Sequence, residues 1–128
     1  GIWRLTPGAS GVDAKLVAPV DNQRLVADVE GLATIDHKGQ RYLIASSQGD
    51  NAYSVYRLSD DSYVGRFRIN AGAFGGTDET DGIEVAVGDF GPQFPGGLFI
   101  AQDGVNPPSA QNFKLVAWAD IKAALGLE

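Results

Sequence analysis

The sequence predicts an all-β fold, and three observations carry that reading. Seventeen glycines and six prolines cut the chain into short apolar runs rich in Val, Ile, Tyr, Phe and Leu, which is how strands joined by turns are punctuated. Helical periodicity is confined to the C-terminal end, where Trp118, Ile121 and Leu125 fall at i, i+3 and i+7 and would bury one face of a short capping helix over 118–125. The chain also matches itself at an offset of about fifty residues. With 128 residues it is one domain or a piece of one, residues 1–128, with no internal boundary and no room for a second core.

Taken in order, strands are expected at residues 1–5, 14–17, 33–35, 41–46, 54–58, 63–69, 83–87, 97–101 and 113–117. Asp36-His37-Lys38-Gly39 reads as the turn between the third and the fourth. The self-match supports these elements individually. Gly1-Ile2-Trp3-Arg4-Leu5 corresponds to Ser54-Val55-Tyr56-Arg57-Leu58 and, more loosely, to Asn112-Phe113-Lys114-Leu115-Val116. Glu30-Gly31-Leu32 corresponds to Asp81-Gly82-Ile83, an acid, a glycine and an aliphatic that start the next strand. The stretch from Leu43 through Ser47-Gln48-Gly49-Asp50-Asn51 corresponds to the one from Phe99 through Gln102-Asp103-Gly104-Val105-Asn106. Each unit thus has three or four strands and closes on a polar loop.

A period of this size with about four strands per unit is that of a β-propeller blade. On this reading the chain opens on the last strand of one blade, then covers one complete blade and most of another, about two to three blades in all. A β-sandwich with accidental hairpin similarity is the alternative, and the common order and offset of the three matches argue against it. Repeats at a fixed period present equivalent loops equivalently, so Gln48 and Asp103 should share one face.

Composition narrows the function. Hydrophobic residues make up 44% and charged residues 20%, the profile of a folded chain rather than a disordered one. Ten Lys and Arg face sixteen Asp and Glu, a net charge of −6 without any basic run, which argues against nucleic acid or an anionic membrane as partner. Cysteine is absent, so disulfides, thiolate metal sites and cysteine nucleophiles are excluded together. No apolar run approaches the ~18 residues of a membrane span. The chain starts with a strand-like segment at Gly1 and contains no Met, which reads as an excised portion of a longer product.

Acidic residues supply the candidate chemistry. Between Arg68 and Lys114 there is no Lys or Arg, yet Asp78, Glu79, Asp81, Glu84, Asp89 and Asp103 all lie there. Uncompensated carboxylates repel one another and invite a cation; simple solvation in turns is the alternative. Asp28 and Glu30 are spaced by two, and Gln48 follows a strand of the same blade. Where such strand ends converge, oxygen-only ligands suit calcium rather than zinc. Other sites are discounted. Asp78-x-x-Asp81-Gly82-x-Glu84 lacks EF-hand spacing, and the glycines of 72–77 lack the Gly-Lys-Ser/Thr of a phosphate-binding loop and read as a flexible connection. Ser46 and Ser47 lack a Gly-x-Ser-x-Gly frame, and the sole histidine, His37, falls in an expected exposed turn, so neither a serine hydrolase nor zinc is indicated.

Five strings carry a more specific signal: Asp28-Val29-Glu30-Gly31-Leu32, Tyr42-Leu43-Ile44-Ala45-Ser46-Ser47-Gln48-Gly49, Thr80-Asp81-Gly82-Ile83, Gly97-Leu98-Phe99-Ile100-Ala101-Gln102-Asp103-Gly104, and Gln111-Asn112-Phe113-Lys114 with Trp118. Together, in order and over nearly the whole chain, they resemble the C-terminal part of the β-propeller phytases. The resemblance implies a six-bladed propeller that hydrolyses phytate, the hexaphosphate of myo-inositol, with several calcium ions at the top of the channel. By position it implies calcium ligation, and through it catalysis, by Asp28, Glu30 and Asp81, with Gln48 as a further ligand. It implies a second, more structural calcium site at Asp103 and Asn106. Where that family has an aspartate shortly before Thr-Asp-Gly, this chain has Gly75, and Glu84 stands where relatives often have Asp. It further implies a secreted or periplasmic location, and a fold completed by the remaining blades or by a second copy.

An acidic protein should repel a hexaphosphate unless bound cations invert the local field, and calcium would do so. Two rival functions stand beside this one: a non-catalytic calcium-binding interaction module, and another calcium-dependent propeller hydrolase such as a lactonase. Upstream sequence rich in Asp at strand ends, with Lys and Arg clustered at the channel mouth, would favour the phytase.

Overall fold

The computed structural model describes residues 1–127. Strands β1 (Ile2–Gly8) and β2 (Gly11–Ala18) form a hairpin, and β3 (Val29–His37), β4 (Gln40–Ser47), β5 (Ala52–Arg57) and β6 (Ser62–Phe67) form a four-stranded sheet. Strands β7 (Ile83–Ala86), β8 (Leu98–Asp103) and β9 (Asn112–Ala117) form a third sheet, followed by helix α1 (Trp118–Leu125). Every pairing is antiparallel between chain neighbours. All nine expected strands are present, and the helix has the bounds its periodicity predicts.

Three details differ. Strand β3 continues through His37, so only Lys38 (φ 49°) and Gly39 (φ 76°) make the turn, both in the left-handed region that a two-residue hairpin of this kind demands. His37 is accordingly a half-buried strand residue paired with Gln40 rather than an exposed turn residue. The chain opens on two paired strands, not on one, because β1 runs on through Pro7 and pairs Gly8 with Gly11, turn-type residues that masked the pairing. The sheet after it is a full meander, and the last sheet has three strands.

The self-match maps onto this topology. Strands β5 and β9 are third in their sheets and match β1, while β3 and β7, which carry Glu30-Gly31-Leu32 and follow Asp81-Gly82, are first. Strand β4 is buried from Tyr42 to Ser47, so its apolar residues run continuously from Tyr42 to Ala45 rather than alternating. Its two faces serve two cores. Tyr42 and Ile44 join Tyr53, Val55 and Phe67 against Val85, Phe99, Trp118 and Ile121 of the last sheet and helix. Leu43 and Ala45, with Tyr56, pack on Ile2, Ala18 and Leu25 from the hairpin side.

Three rings anchor the first core, with centroids of Tyr53 and Phe67 at 5.1 Å, Tyr53 and Phe99 at 5.1 Å, and Phe67 and Phe99 at 5.4 Å, distances typical of stacked and edge-on pairs. Helix α1 closes the end of this core with Trp118, which is 1% exposed, and stops at Gly126, whose φ of 67° gives the usual left-handed cap. The two sheets also meet along their first strands. At Gly31 the approach is so close that a methyl carbon would lie 2.7 Å from the Asp81 carbonyl oxygen and 2.8 Å from the Ile83 nitrogen. Consecutive meanders stacked face to face, with their first strands adjacent, are the arrangement of neighbouring propeller blades. Trp3, Leu5, Val12 and Leu16 of the hairpin and Phe113 and Leu115 of β9 remain exposed.

Candidate functional site

The acid-bearing loops gather at one end of the two sheets. Strand β4 ends in a 3-10 turn over Gln48–Asp50, and Asn51 leaves it in the left-handed region at φ 54°. The turn is tied back to the segment before β3: Gln48 N donates to the Asp28 carbonyl at 2.9 Å, and Val26 N donates to the Ser47 hydroxyl at 2.8 Å. Gly49 has to be glycine here, since a methyl carbon would overlap the Ala27 carbonyl oxygen at 1.8 Å.

Buried hydroxyls fix the segment before β7. The Tyr53 hydroxyl lies 2.7 Å from both Thr77 Oγ1 and Thr80 Oγ1, and Ser46 Oγ donates to the Thr80 carbonyl at 2.6 Å. Burial pushes the Tyr53 phenol above its ordinary pKa, so it stays a neutral donor and acceptor. With Thr77 and Thr80 pinned inward, Asp78, Glu79 and Asp81 project to the surface.

Two polar bridges then cross between the sheets. In the inner one, Gln48 Nε2 donates to Asp81 Oδ1 at 2.7 Å, Asp81 N donates to Gln102 Oε1 at 2.8 Å, and Gln102 N donates to the Gly82 carbonyl at 2.9 Å. In the outer one, Asn51 Nδ2 donates to Asp78 Oδ1 at 2.7 Å, Glu79 N donates to Asn51 Oδ1 at 2.9 Å, and Asp78 N donates to Asp103 Oδ1 at 3.1 Å. Gln48 and Asp103 therefore lie at the same end, as the repeat requires.

Among the expected ligands, Gln48 and Asp81 are brought into contact, and the Asp28 backbone is joined to Gln48. Asp28, Glu30 and Asp81 are exposed. Among the described residues, no three His, Cys, Asp or Glu side chains converge as a metal-binding group. The donors present, carboxylate and amide oxygens facing solvent, fit a hard cation such as calcium, and they make up a partial set.

Asp103 and Asn106 are placed differently. Lys114 Nζ donates to Asp103 Oδ2 at 2.7 Å, to Asn106 Oδ1 at 3.2 Å and to Asn112 Oδ1 at 2.6 Å. The Asp103 and Lys114 side chains are 3% and 11% exposed. Burial raises the Asp103 carboxyl pKa, but the Lys114 ammonium and the Asp78 N–H outweigh it and hold the carboxyl below its ordinary value. The acidic stretch is thus compensated at its far end by the lysine that bounds it. Glu84 and Asp89 turn back on their own backbone, accepting from Val85 N at 2.8 Å and Gly91 N at 2.9 Å.

Sequence reasoning missed Asn51 and the cations around Asp50. Arg66 Nη2 pairs with Asp50 Oδ2, and Arg68 Nη2 reaches the same oxygen at 3.0 Å. The available signal was the alternation of Arg66 and Arg68, which puts both on one face of the strand end.

A phytase family model matches residues 1–128, the whole chain, and the chain belongs to that family. Among curated proteins it is similar to the 3-phytase of Bacillus subtilis (strain 168), at 42% identity over 135 residues covering 98% of this chain. That match takes in 35% of the Bacillus protein, so the chain spans about a third of its relative's length.

Proposed function

We propose that this chain contributes one arc of the calcium-lined site of a phytase that removes phosphate from phytate by attack of water. The observation that supports it most directly is the 2.7 Å contact from Gln48 to Asp81, which joins two blades at the end where Asp28 and Glu30 are also found. The likeness to a 3-phytase gives the substrate class. Bound calcium would polarise phosphate oxygens and lower the pKa of a water at the reacting phosphorus. In this scheme Asp28, Glu30 and Asp81 present carboxylates to the cation. Gln48 holds Asp81 in place through its amide nitrogen and offers its oxygen as a ligand. The Gln102 amide fixes the Asp81 backbone from the opposite side. Water and residues of the other blades, or of a second copy, complete the coordination of 6 to 8 oxygens that calcium prefers. The enzyme so completed would act outside the cytoplasm, secreted or periplasmic.

The test is phosphate release from phytate by the intact protein, with calcium and with a chelator. Turnover is expected to need calcium, and the double variant Asp28→Asn with Glu30→Gln is expected to lose the calcium stimulation. Unchanged calcium dependence in that variant would exclude both residues from the site. The 128-residue chain alone should show no appreciable turnover, because it holds a partial ligand set. Turnover within about tenfold of the intact protein, roughly 1.4 kcal/mol in barrier, would mean that the site is complete here.

A further inference from the structure

We propose that the corner formed by Asp103, Asn106 and Asn112 is an oxygen cage whose resident cation is the chain's own Lys114 ammonium, so that this corner takes no calcium. Three side-chain oxygens surround Nζ at 2.7, 3.2 and 2.6 Å, one for each proton of the ammonium. The cage is sheltered, with the Lys114 side chain 11% exposed and Asp103 3%. An ammonium held this way supplies a single positive charge, which matches the single carboxylate among the three acceptors. Calcium would need 6 to 8 oxygens at about 2.3–2.6 Å and would have to share Asp103 with a half-buried lysine. Like charges at that separation exclude one another.

Gly75 makes the same point from the other side. A methyl carbon built there would lie 3.8 Å from Lys114 Cε, so this residue stands over the lysine and brings no carboxylate to the cage. The other Asp103 oxygen is already engaged by Asp78 N at 3.1 Å. The resemblance places a structural calcium at Asp103 and Asn106; the lysine fills that place instead. This inference concerns a different corner from the Asp28, Glu30, Gln48 and Asp81 cluster and does not depend on the phytase reading.

The experiment counts calcium ions bound per intact protein by calorimetric titration and locates them by anomalous diffraction from crystals grown in calcium. The expected result is that Asn106→Ala binds as many ions as the unaltered protein, and that the crystals show the Lys114 amine in the cage with no calcium peak at coordination distance from Asp103. Loss of one ion in Asn106→Ala would overturn the proposal. So would a calcium peak on Asp103 with Lys114 displaced, a result that requires no variant to fold. As a converse test, Gly75→Asp combined with Lys114→Gln is expected to gain an ion, and an unchanged count in that folded variant would mean that the cage is not a cation site at all.

Discussion

Gln48 follows the second strand of one sheet and Asp81 precedes the first strand of the next, yet the Gln48 side-chain amide donates to an Asp81 carboxylate oxygen at 2.7 Å. The bond gives Asp81 a neutral partner without consuming its charge, and it places an amide oxygen beside the carboxylate. Gln48→Glu keeps the size and removes the donor, so two carboxylates would face each other. In chelator the variant should melt below the unaltered protein, by a small margin because the pair is near the surface, about 0.2–1 kcal/mol. Added calcium should restore the lost stability, and more than it raises the unaltered protein. A calcium response no larger than that of the unaltered protein in thermal melts would show that the pair does not face a common cation.

Gly31 is a point of close approach between the sheets. Gly31→Ala should force the backbone around Asp81 and Ile83 apart, at an overpacking cost of about 1–3 kcal/mol. Gly82→Ala serves as control, because nothing lies within 4 Å of a methyl carbon at that position. Chemical denaturation of the two variants should separate them clearly; equal stability would place the seam elsewhere.

Tyr53→Phe keeps the ring contacts with Phe67 and Phe99 and removes only the hydroxyl. It strips a partner from the buried Thr77 and Thr80 hydroxyls, a loss of about 1–3 kcal/mol. Urea denaturation should register the loss. Adding Thr77→Val and Thr80→Val to the same chain should cost less than the sum of the single changes, since the triple variant leaves no orphaned group.

Asp21 predicts an acid dependence. Its Oδ1 accepts the backbone N–H groups of Gln23, Arg24 and Leu25 at 2.9, 2.7 and 3.1 Å, and these bonds hold the carboxyl below its ordinary value of 3.8. A lowered folded-state pKa means that the ionised acid stabilises the fold above the unfolded value, and that the contribution fades as pH falls through the folded one. Asp21→Asn keeps an acceptor oxygen but not the charge. The stability gap between the two proteins should therefore be widest near neutrality and close in acid; a gap independent of pH would mean that the loop is held by shape alone.

Much of this architecture was legible from local pattern. Short apolar runs bounded by Gly and Pro located all nine strands, and Trp118, Ile121 and Leu125 located the helix, because in each case the information lies within a few residues. Strand β1 runs beyond the expected end at Leu5 because Thr6, Pro7 and Gly8 have the composition of a turn, while the register that pairs them with residues 11–13 becomes visible only once the hairpin forms. The candidate site was legible as a set of acids but not as contacts. Lys114 is eleven residues from Asp103, and only the β8–β9 register, with Asp103 opposite Asn112 and Ala101 opposite Lys114, turns that separation into a cage. The Gln48–Asp81 bridge likewise depends on how two sheets dock, which no periodicity encodes.

The sequential strand order bears on how this chain reaches its native state. Within each sheet every partner is the next strand, so each ladder can zip through short hairpin closures that cost little chain entropy. The Gly31–Asp81 seam joins positions about fifty residues apart and must wait for two finished ladders to meet. The acid-bearing end is assembled only at that meeting, so the last event of folding and the first moment of the candidate site coincide. Amide exchange would then be slowest in β4 and β5, which are buried on both faces, and fastest in the β1–β2 hairpin, whose outer face lies open to water.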